Sequence, residues 1–143
     1  MSPKELIIKV VTLEKTVYGG GATRISIPTS EGFITVLPEH EPLIGLLAPG
    51  VMLVTLRDGS QEKIIVTTGF FEVKPMSEII ILADTADAVG DIDVDAFKRS
   101  KDAATKALEE GVDINELEVA HLEDVIAREA ARIDVADRHL GMR

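Results

Sequence analysis

The chain lacks cysteine and tryptophan, and aromatic residues make up only 3% of its 143 residues. The absence of cysteine excludes disulfide bonds, thiolate metal sites and cysteine nucleophiles. The scarcity of aromatic side chains argues against a sugar-binding cleft, which paired catalytic carboxylates would need for glycoside hydrolysis. Hydrophobic residues nevertheless make up 45% of the sequence. The chain therefore has enough aliphatic material for the core of one domain, or of a small domain with an appendage.

Basic residues are also in the minority, with 15 Lys and Arg against 25 Asp and Glu and a formal net charge of -10. Nucleic acids and anionic lipids attract clusters of Lys and Arg, so neither is expected as the main partner. The N-terminal segment lacks the apolar run of a signal peptide, and no apolar stretch approaches the ~18 residues that span a membrane. We expect a soluble, cytosolic protein that reaches a membrane only by docking onto something in it.

The first part of the chain, residues 1–87, has the pattern of short β-strands. The segment RISIPT alternates, with Ile25 and Ile27 on one face and polar residues on the other, as in a half-buried strand. Asp58-Gly59 predicts a tight primed turn between two strands, and the segment KPMS separates two further apolar segments. Several short strands at regular spacing, without helical segments between them, predict an antiparallel β-sandwich.

Residues 91–143 change to a helical period. Acidic residues open the first helical segment, where the helix dipole favours them, and Gly111 ends it. The second segment, from Asp113 to Leu140, carries an apolar stripe on one face. Its members follow one another at steps of three and four residues: Val119, Leu122, Ile126, Ala130, Ile133, Ala136 and Leu140. Two amphipathic helices joined by a short link predict an antiparallel hairpin, whose alanine-rich contacts predict lower stability than that of the sandwich.

No arrangement of residues in the sequence predicts a catalytic or metal site. The stretch GGGATR, Gly19–Arg24, lacks the Lys and the following helix of a phosphate-binding loop, so we interpret it as a flexible turn. Glu39, His40 and Glu41 are adjacent, but neighbours in an extended segment point to opposite sides and cannot easily share an ion. The Gly-x-Ser-x-Gly elbow of many hydrolases is absent as well.

The second helical segment also carries basic residues. His121, Arg128, Arg132 and His139 lie roughly on one face. They are interpreted either as a solvated face with an Asp124–Arg128 pair, or as a basic stripe that meets an acidic partner when the helix moves. Both interpretations stay open at this point.

Several motifs together resemble the epsilon subunit of the F-type ATP synthase, whose mitochondrial equivalent is called delta. The stretch RISIPTSEGFITVLPEHEPLIGLLAPG is similar to that family's strand, Pro-Thr-x-Glu-Gly turn, Leu-Pro-x-His-x-Pro-Leu segment and closing Pro-Gly. TTGFFEVKPMSEIIILADTA is similar to its Gly-Gly-Phe-x-Glu-Val…Val-x-Ile-Leu-Ala-Asp signature. DIDVDAFKRSKDAATKAL lies where the family has its first C-terminal helix. The resemblance extends over nearly the whole chain and implies the same two parts, a β-sandwich and a helical hairpin.

The resemblance implies a non-catalytic subunit of the central rotor of a proton-driven ATP synthase, without a cofactor of its own. Its sandwich would clasp the gamma shaft and rest on the ring of c subunits, coupling ring rotation to ATP synthesis through gamma. By position in the motifs, Glu31 and His40 are the implied contact residues, both in the region that faces the ring. The hairpin would inhibit ATP hydrolysis when it extends toward the alpha and beta subunits. The implied location is the cytoplasmic face of the bacterial plasma membrane, within a peripheral complex.

Some members of this family bind ATP at an Ile/Leu-Asp-x-x-Arg-Ala motif on the first helix. The matching segment here is IDVDAF, in which Ala96 replaces the Arg of the motif. A methyl group cannot replace the bidentate phosphate contact of a guanidinium, which argues against ATP as a regulatory ligand. Arg99 lies about one helical turn further along, so it is an imperfect substitute. The residues that would remain for a nucleotide are Ile92, Asp93, Arg99, Arg128 and Arg132.

An alternative hypothesis is a β-sandwich ligand-binding or interaction module with a dimerising helical tail. This module would need a concave, aromatic-lined site, for which the sequence offers little material. A third hypothesis, a small hydrolase, lacks a convergent nucleophile and base. Co-purification with a gamma-type shaft subunit would separate the rotor subunit from both alternatives.

Overall fold

The computed structural model describes residues 4–111 and 113–141, which form ten β-strands followed by two α-helices. Two short 3-10 helices are also present: Pro75–Ser77 lies between the eighth and ninth strands, and Val89–Asp91 lies before the first α-helix. The strands are β1 (Leu6–Val11), β2 (Thr16–Ala22), β3 (Arg24–Thr29), β4 (Gly32–Val36), β5 (Leu43–Leu47), β6 (Gly50–Thr55), β7 (Gln61–Val66), β8 (Gly69–Lys74), β9 (Glu78–Ala83) and β10 (Ala86–Ala88). The helices are α1 (Val94–Glu109) and α2 (Glu116–Leu140).

The strands follow one path of hydrogen bonding, β10-β7-β6-β3-β5-β8-β9-β1-β2, with β4 paired to β3 beside that path. Strand β3 joins the two halves of the path, because it pairs with β6 at its start and with β5 through Thr29 and Leu47. The predicted β-sandwich followed by a helical hairpin is confirmed. One pair differs from the antiparallel prediction, since β1 and β9 run parallel. These two strands are far apart in sequence, so no hairpin turn forces them to be antiparallel.

The core of the sandwich is one cluster of buried side chains to which every strand contributes. Ile25 and Ile27 are fully buried while Arg24 is exposed, which confirms the alternation predicted for this segment. The cluster is almost wholly aliphatic, with Phe71 as a buried aromatic member. Burial of one such aliphatic side chain contributes about 1.5–3 kcal/mol. The stability of the sandwich therefore rests on many medium-sized side chains.

The hairpin between β6 and β7 is confirmed, but its turn differs from the prediction. Its loop, Arg57–Gly59, is closed by hydrogen bonds from Leu56 N to Ser60 O at 2.8 Å and from Gly59 N to Leu56 O at 3.0 Å. Within this loop, positive φ occurs at Gly59 (87°) and not at Asp58, so the two-residue primed turn is wrong. The Asp58 carboxylate accepts hydrogen bonds from the hydroxyl and backbone N–H of Ser60, which lower the pKa of Asp58. This local bonding favours a three-residue loop with one left-handed residue.

The interpretation of GGGATR as a flexible turn is wrong. Gly19–Gly21 belong to β2 and pair with Ile7–Lys9 of β1. A Cβ added at Gly21 would lie 2.7 Å from Oε2 of Glu5, so the missing side chain leaves room for that carboxylate. Glycine is depleted in strands, which is why the sequence suggested a turn. Strand β2 lies at the end of the sheet, and the close approach of the Glu5 side chain explains why a glycine occurs there.

The two helices belong to a second compact unit, which is divided from the sandwich between Ile92 and Asp93. Helix α1 begins after Asp93, whose carboxylate accepts a hydrogen bond from Ala96 N at 3.0 Å. Helix α2 begins after Asn115, whose side chain accepts from Glu118 N at 2.9 Å. Such N-caps satisfy backbone donors that a helix leaves free at its start. Each helix thus starts at a residue whose side chain caps it.

The pairing of α1 with α2 is antiparallel, as predicted. Phe97, near the start of α1, contacts Arg132 in the second half of α2. All seven members of the predicted stripe on α2 are buried or half-buried, with Ala136 fully buried. Two further residues of α2, Glu129 and Val135, are buried although the stripe did not include them.

Candidate docking surface

Strand β5, with the sequence LIGLL, exposes apolar side chains that its sequence alone would place in a core. Ile44 is 71% exposed and Leu46 is 69% exposed. Leu46 is paired with Phe70 of β8, which is 50% exposed. Side chains of directly paired residues lie on the same face of a sheet, and so do residues two apart in one strand. Ile44, Leu46 and Phe70 therefore form one apolar patch, of the kind that another molecule covers.

A depression lies beside the apolar patch, between β4 and β5. Strand β4 pairs with β3 on one side, and β5 pairs with β8 on one side and with β3 at a single position. The space between them is lined by Thr29, Ser30, Glu31, Ile34, Leu43, Ile44, Gly45, Leu46 and Phe71. A Cβ added at Gly45 would lie 2.4 Å from Cζ of Phe71, so that ring packs directly against the backbone of β5.

Glu31 lies at the turn between β3 and β4 and lines this depression. The turn is held by the hydroxyl of Thr29, which donates to Gly32 O at 2.5 Å and accepts from Glu31 N at 3.2 Å. The Glu31 side chain is exposed. The geometry therefore presents a carboxylate to solvent beside an apolar surface, from a turn whose backbone is fixed.

His40 lies in the loop between β4 and β5, where its backbone N–H donates to Leu37 O at 3.1 Å. Its Nδ1 is 2.6 Å from Glu41 O, and the residue is half-buried. The neighbouring Glu39 donates its N–H to Ser77 Oγ at 2.8 Å and forms an ion pair with Lys4. The loop is thus bonded to the turn between β8 and β9.

Glu31 and His40 precede and follow the same strand, β4. A strand of this length separates its two ends by about 13 Å, at about 3.3 Å per residue. The structure therefore does not bring the two predicted contact residues together. It places Glu31 beside the depression and His40 in the bonded loop, where they can serve two different contacts.

Among residues 4–111 and 113–141, no group of three His, Asp or Glu side chains is arranged to hold a metal ion. Glu39, which was considered together with His40 and Glu41, is instead paired with Lys4. Glu39 and His40 thus both have bonding partners within the protein.

The residues considered for a nucleotide have separate surroundings. Ile92 is half-buried and belongs to the first unit, whereas the other four belong to the second. Asp93 caps α1, and its second carboxylate oxygen is 3.7 Å from Arg99. The guanidinium of Arg132 is 3.0 Å from Oε1 of Glu129 and lies over the Phe97 ring, 4.2 Å from its centroid.

The face carrying His121, Arg128, Arg132 and His139 is accordingly not uniform. His121 and His139 are exposed, Arg128 is half-buried, and the Arg132 side chain is 21% exposed. Arg132 is therefore not available to an acidic partner, because it is bound within the hairpin.

Glu129 is the residue of the hairpin that sequence reasoning missed. Its side chain is 5% exposed, and one of its oxygens, Oε2, has no hydrogen-bond partner among residues 4–111 and 113–141. A buried carboxylate is costly unless a cation is close, and Arg132 supplies one. The signal in the sequence was the spacing of three residues between Glu129 and Arg132, flanked on both sides by members of the apolar stripe.

These features define a class of protein that works by docking: a β-sandwich with an exposed apolar patch, followed by a helical hairpin. Neither helix in the described part of the chain combines the length and the hydrophobicity that a membrane-spanning segment requires.

Comparison with known proteins identifies the family within that class. Residues 5–89 match the family model described as the beta-sandwich domain of the ATP synthase delta/epsilon chain. The ATP synthase epsilon chain of Moorella thermoacetica is 35% identical over 131 residues, covering 92% of this chain and 96% of the relative. That of Halalkalibacterium halodurans is 36% identical over 134 residues, covering 93% and 98%. A chain in the structure of Euglena gracilis mitochondrial ATP synthase matches with a TM-score of 0.62 and 23% identity, covering 97% of this chain and 84% of that chain, which shows the fold.

The chain belongs to the family of ATP synthase delta/epsilon chains. It is a non-catalytic subunit of the central stalk of ATP synthase, an enzyme complex that is associated with a membrane. The prediction of the family from its motifs is confirmed, and the ligand-binding module and the small hydrolase are set aside.

Proposed function

We propose that the sandwich joins the gamma subunit through the apolar patch and faces the ring of c subunits with the turn that carries Glu31. In this position the chain couples rotation of the ring to ATP synthesis through gamma. The observation that supports the proposal is the exposure of Ile44, Leu46 and Phe70 on one face of the sheet. We further propose that the complex lies at the cytoplasmic face of a bacterial plasma membrane, which fractionation of cell membranes would test.

The apolar patch gives the sharpest test of this docking. The double variant Ile44→Ser, Leu46→Ser is expected to weaken binding to gamma by about 100-fold, because each side chain loses about 1.4 kcal/mol of burial. Its unfolding temperature is expected to stay within about 2 °C of the parent, since both side chains are already exposed in the isolated chain. Co-purification with tagged gamma and calorimetric titration measure the binding.

Leu13→Ser is the matched control, because Leu13 is 95% exposed in the turn after β1 and lies outside the patch. Equal binding by the double variant and this control would overturn the assignment of the patch to gamma.

In the same assay Glu31→Lys is expected to keep its binding to gamma but to lose attachment to membranes that contain the c-ring. Loss of gamma binding by Glu31→Lys would show that the turn faces the shaft instead.

We also propose that the hairpin regulates ATP hydrolysis by leaving its closed form and reaching the alpha and beta subunits. Two observations support a separable element: the hairpin is a compact unit of its own, and three of the 25 residues of α2 are buried. Elements with little buried surface open at a lower free-energy cost than cores. Deletion of residues 93–143 is expected to raise ATP hydrolysis by the assembled complex several-fold. Unchanged hydrolysis, with the shortened chain still bound, would contradict the proposal.

We propose, finally, that the closed hairpin needs no nucleotide. Ala96 offers a phosphate only a methyl group, Asp93 caps α1, and Arg132 is bound to Glu129. A ligand that bound the folded hairpin would stabilise it in proportion to its saturation. Addition of 1 mM ATP, a concentration of about physiological order, is therefore expected to leave the unfolding temperature of the hairpin unchanged. A rise that ATP produces and the variant Arg99→Ala abolishes would contradict this.

A further inference from the structure

An open groove lies at the end of the hairpin where α1 leads into α2. Its volume is about 480 Å³, and its lining is mostly apolar. The residues that line it are Ala107 of α1, Ile114 and Asn115 before α2, and Leu117, Glu118, His121 and Leu122 of α2. Leu117 is 82% exposed, although it lies in the first turn of α2. The groove therefore offers uncovered apolar surface to another molecule.

The surroundings of this groove carry charge of one sign. Residues 107–127 contain no Lys and no Arg. They contain seven acidic residues, all of them exposed: Glu109, Glu110, Asp113, Glu116, Glu118, Glu123 and Asp124. Within the described part of the chain the ion pairs of the hairpin lie elsewhere, at Asp93, Glu129 and Asp134. Glu118 lines the groove, and the segment that contains it is therefore strongly negative.

We propose that this groove is a docking site for a basic amphipathic helix of a partner protein. A helix with aliphatic residues three and four positions apart can place one or two of them in the groove, as amphipathic helices do in apolar grooves. Its flanking Lys and Arg would meet Glu118 and the other acidic residues of this segment, which speeds association and selects against acidic partner helices. Binding of such a helix would also relieve the repulsion among the seven carboxylates. The site is separate from the apolar patch of the sandwich and does not depend on the docking proposed for it.

Two synthetic probes test the chemistry of the occupant. Both are labelled 18-residue helices with the same leucine stripe, and the remaining positions carry Lys in one and Glu in the other. Fluorescence anisotropy with the full chain is expected to show binding of the Lys helix, and at least tenfold weaker binding of the Glu helix. Raising the salt concentration from 50 to 300 mM is expected to lower the affinity for the Lys helix severalfold, because salt screens exposed charges. Equal binding of both helices, or no binding of the Lys helix at 1 mM chain, would overturn the proposal.

A second measurement separates the groove from general attraction to an acidic chain. Leu117→Ser is expected to lower the affinity for the Lys helix about tenfold, the effect of losing most of one buried leucine. This variant should fold normally, because Leu117 is mostly exposed. The matched control is Leu13→Ser, which removes another exposed leucine from the sandwich and is expected to bind like the parent. Equal affinities of the two variants would show that charge alone attracts the helix and would reject the groove.

Amide shifts in NMR spectra give the location independently. With the Lys helix bound, the largest shifts are expected in residues 107–122. Shifts centred on β5 and β8 instead would assign the binding to the apolar patch and overturn the proposal.

Discussion

Replacement of Gly69 by alanine is expected to destabilise the sandwich by about 3 kcal/mol, at the upper end of what overpacking usually costs. Gly69 is the first residue of β8 and pairs with Ala83 of β9. A Cβ at this position would lie 2.2 Å from the carbonyl oxygen of Leu82 and 2.8 Å from Cα of Ala83. Both atoms belong to the backbone of the neighbouring strand, so no side-chain rotation can relieve the overlap. Strand β8 would have to move away from β9. Urea unfolding of the parent and the variant measures the difference.

Two other glycines make this prediction specific. A Cβ at Gly45 would lie 2.4 Å from the Phe71 ring, which is a side chain and can shift, so Gly45→Ala is expected to cost less than Gly69→Ala. A Cβ at Gly90 has no atom within 4 Å, and Gly90→Ala is expected to be neutral. The order of destabilisation should therefore be Gly69, then Gly45, then Gly90. Equal stabilities of the Gly69 and Gly90 variants would refute the close approach of β8 to β9.

Replacement of Arg132 by alanine is expected to destabilise the hairpin by about 2 kcal/mol. Loss of one partner from a buried ion pair costs about 3–5 kcal/mol, because the other charge is left buried and unpaired. The expected value is lower here because the Arg132 side chain is 21% exposed. The variant removes the ion pair with Glu129 and the contact with the Phe97 ring. Hydrogen exchange of the amides in α1 and α2 measures the loss of protection, and the sandwich amides serve as an internal reference.

Arg138→Ala is the matched control in the same helix. Arg138 bonds Asp134 at 2.9 Å, but the two side chains are 72% and 55% exposed. An exposed pair of this kind contributes about 0.5 kcal/mol or less. A second variant, Glu129→Gln, keeps the size of the side chain and removes the buried charge, so it is expected to destabilise less than Arg132→Ala. Equal protection of the helix amides in the Arg132 and Arg138 variants would show that the pair with Arg132 does not stabilise the buried Glu129.

The sequence predicted the two-part organisation well, because its two hydrophobic periods differ. The alternation at Ile25 and Ile27 and the stripe of α2 each reflect local geometry, which a short window of sequence contains. The family followed from motifs spread along the chain. The positions of turns were harder to predict from the sequence. The glycines of Gly19–Gly21 suggested a turn, although the space beside Glu5 explains them within β2.

The candidate surfaces could be predicted only in part. The motif predicts Glu31 as a contact residue, and Glu31 lies in an exposed turn beside an apolar depression. The apolar composition of the segment LIGLL in β5 predicts a buried strand, but the side chains of Ile44 and Leu46 are exposed. Their exposure depends on where β5 lies in the order of strands. Pairing between residues distant in sequence sets that order, and no local pattern encodes it.

The sequence by itself determined the aliphatic core, the division into strands and helices, and the family, because composition, period and motif are local properties. The tertiary structure alone decided which apolar residues stay uncovered and which charges are buried. Glu129 resembles any solvated helix residue in the sequence, and only the structure shows that it is buried and paired with Arg132. Likewise, Glu118 comes to line an apolar groove only when α1 and α2 pack together. The physical reason is that burial and electrostatic environment depend on neighbours that folding brings from elsewhere in the chain.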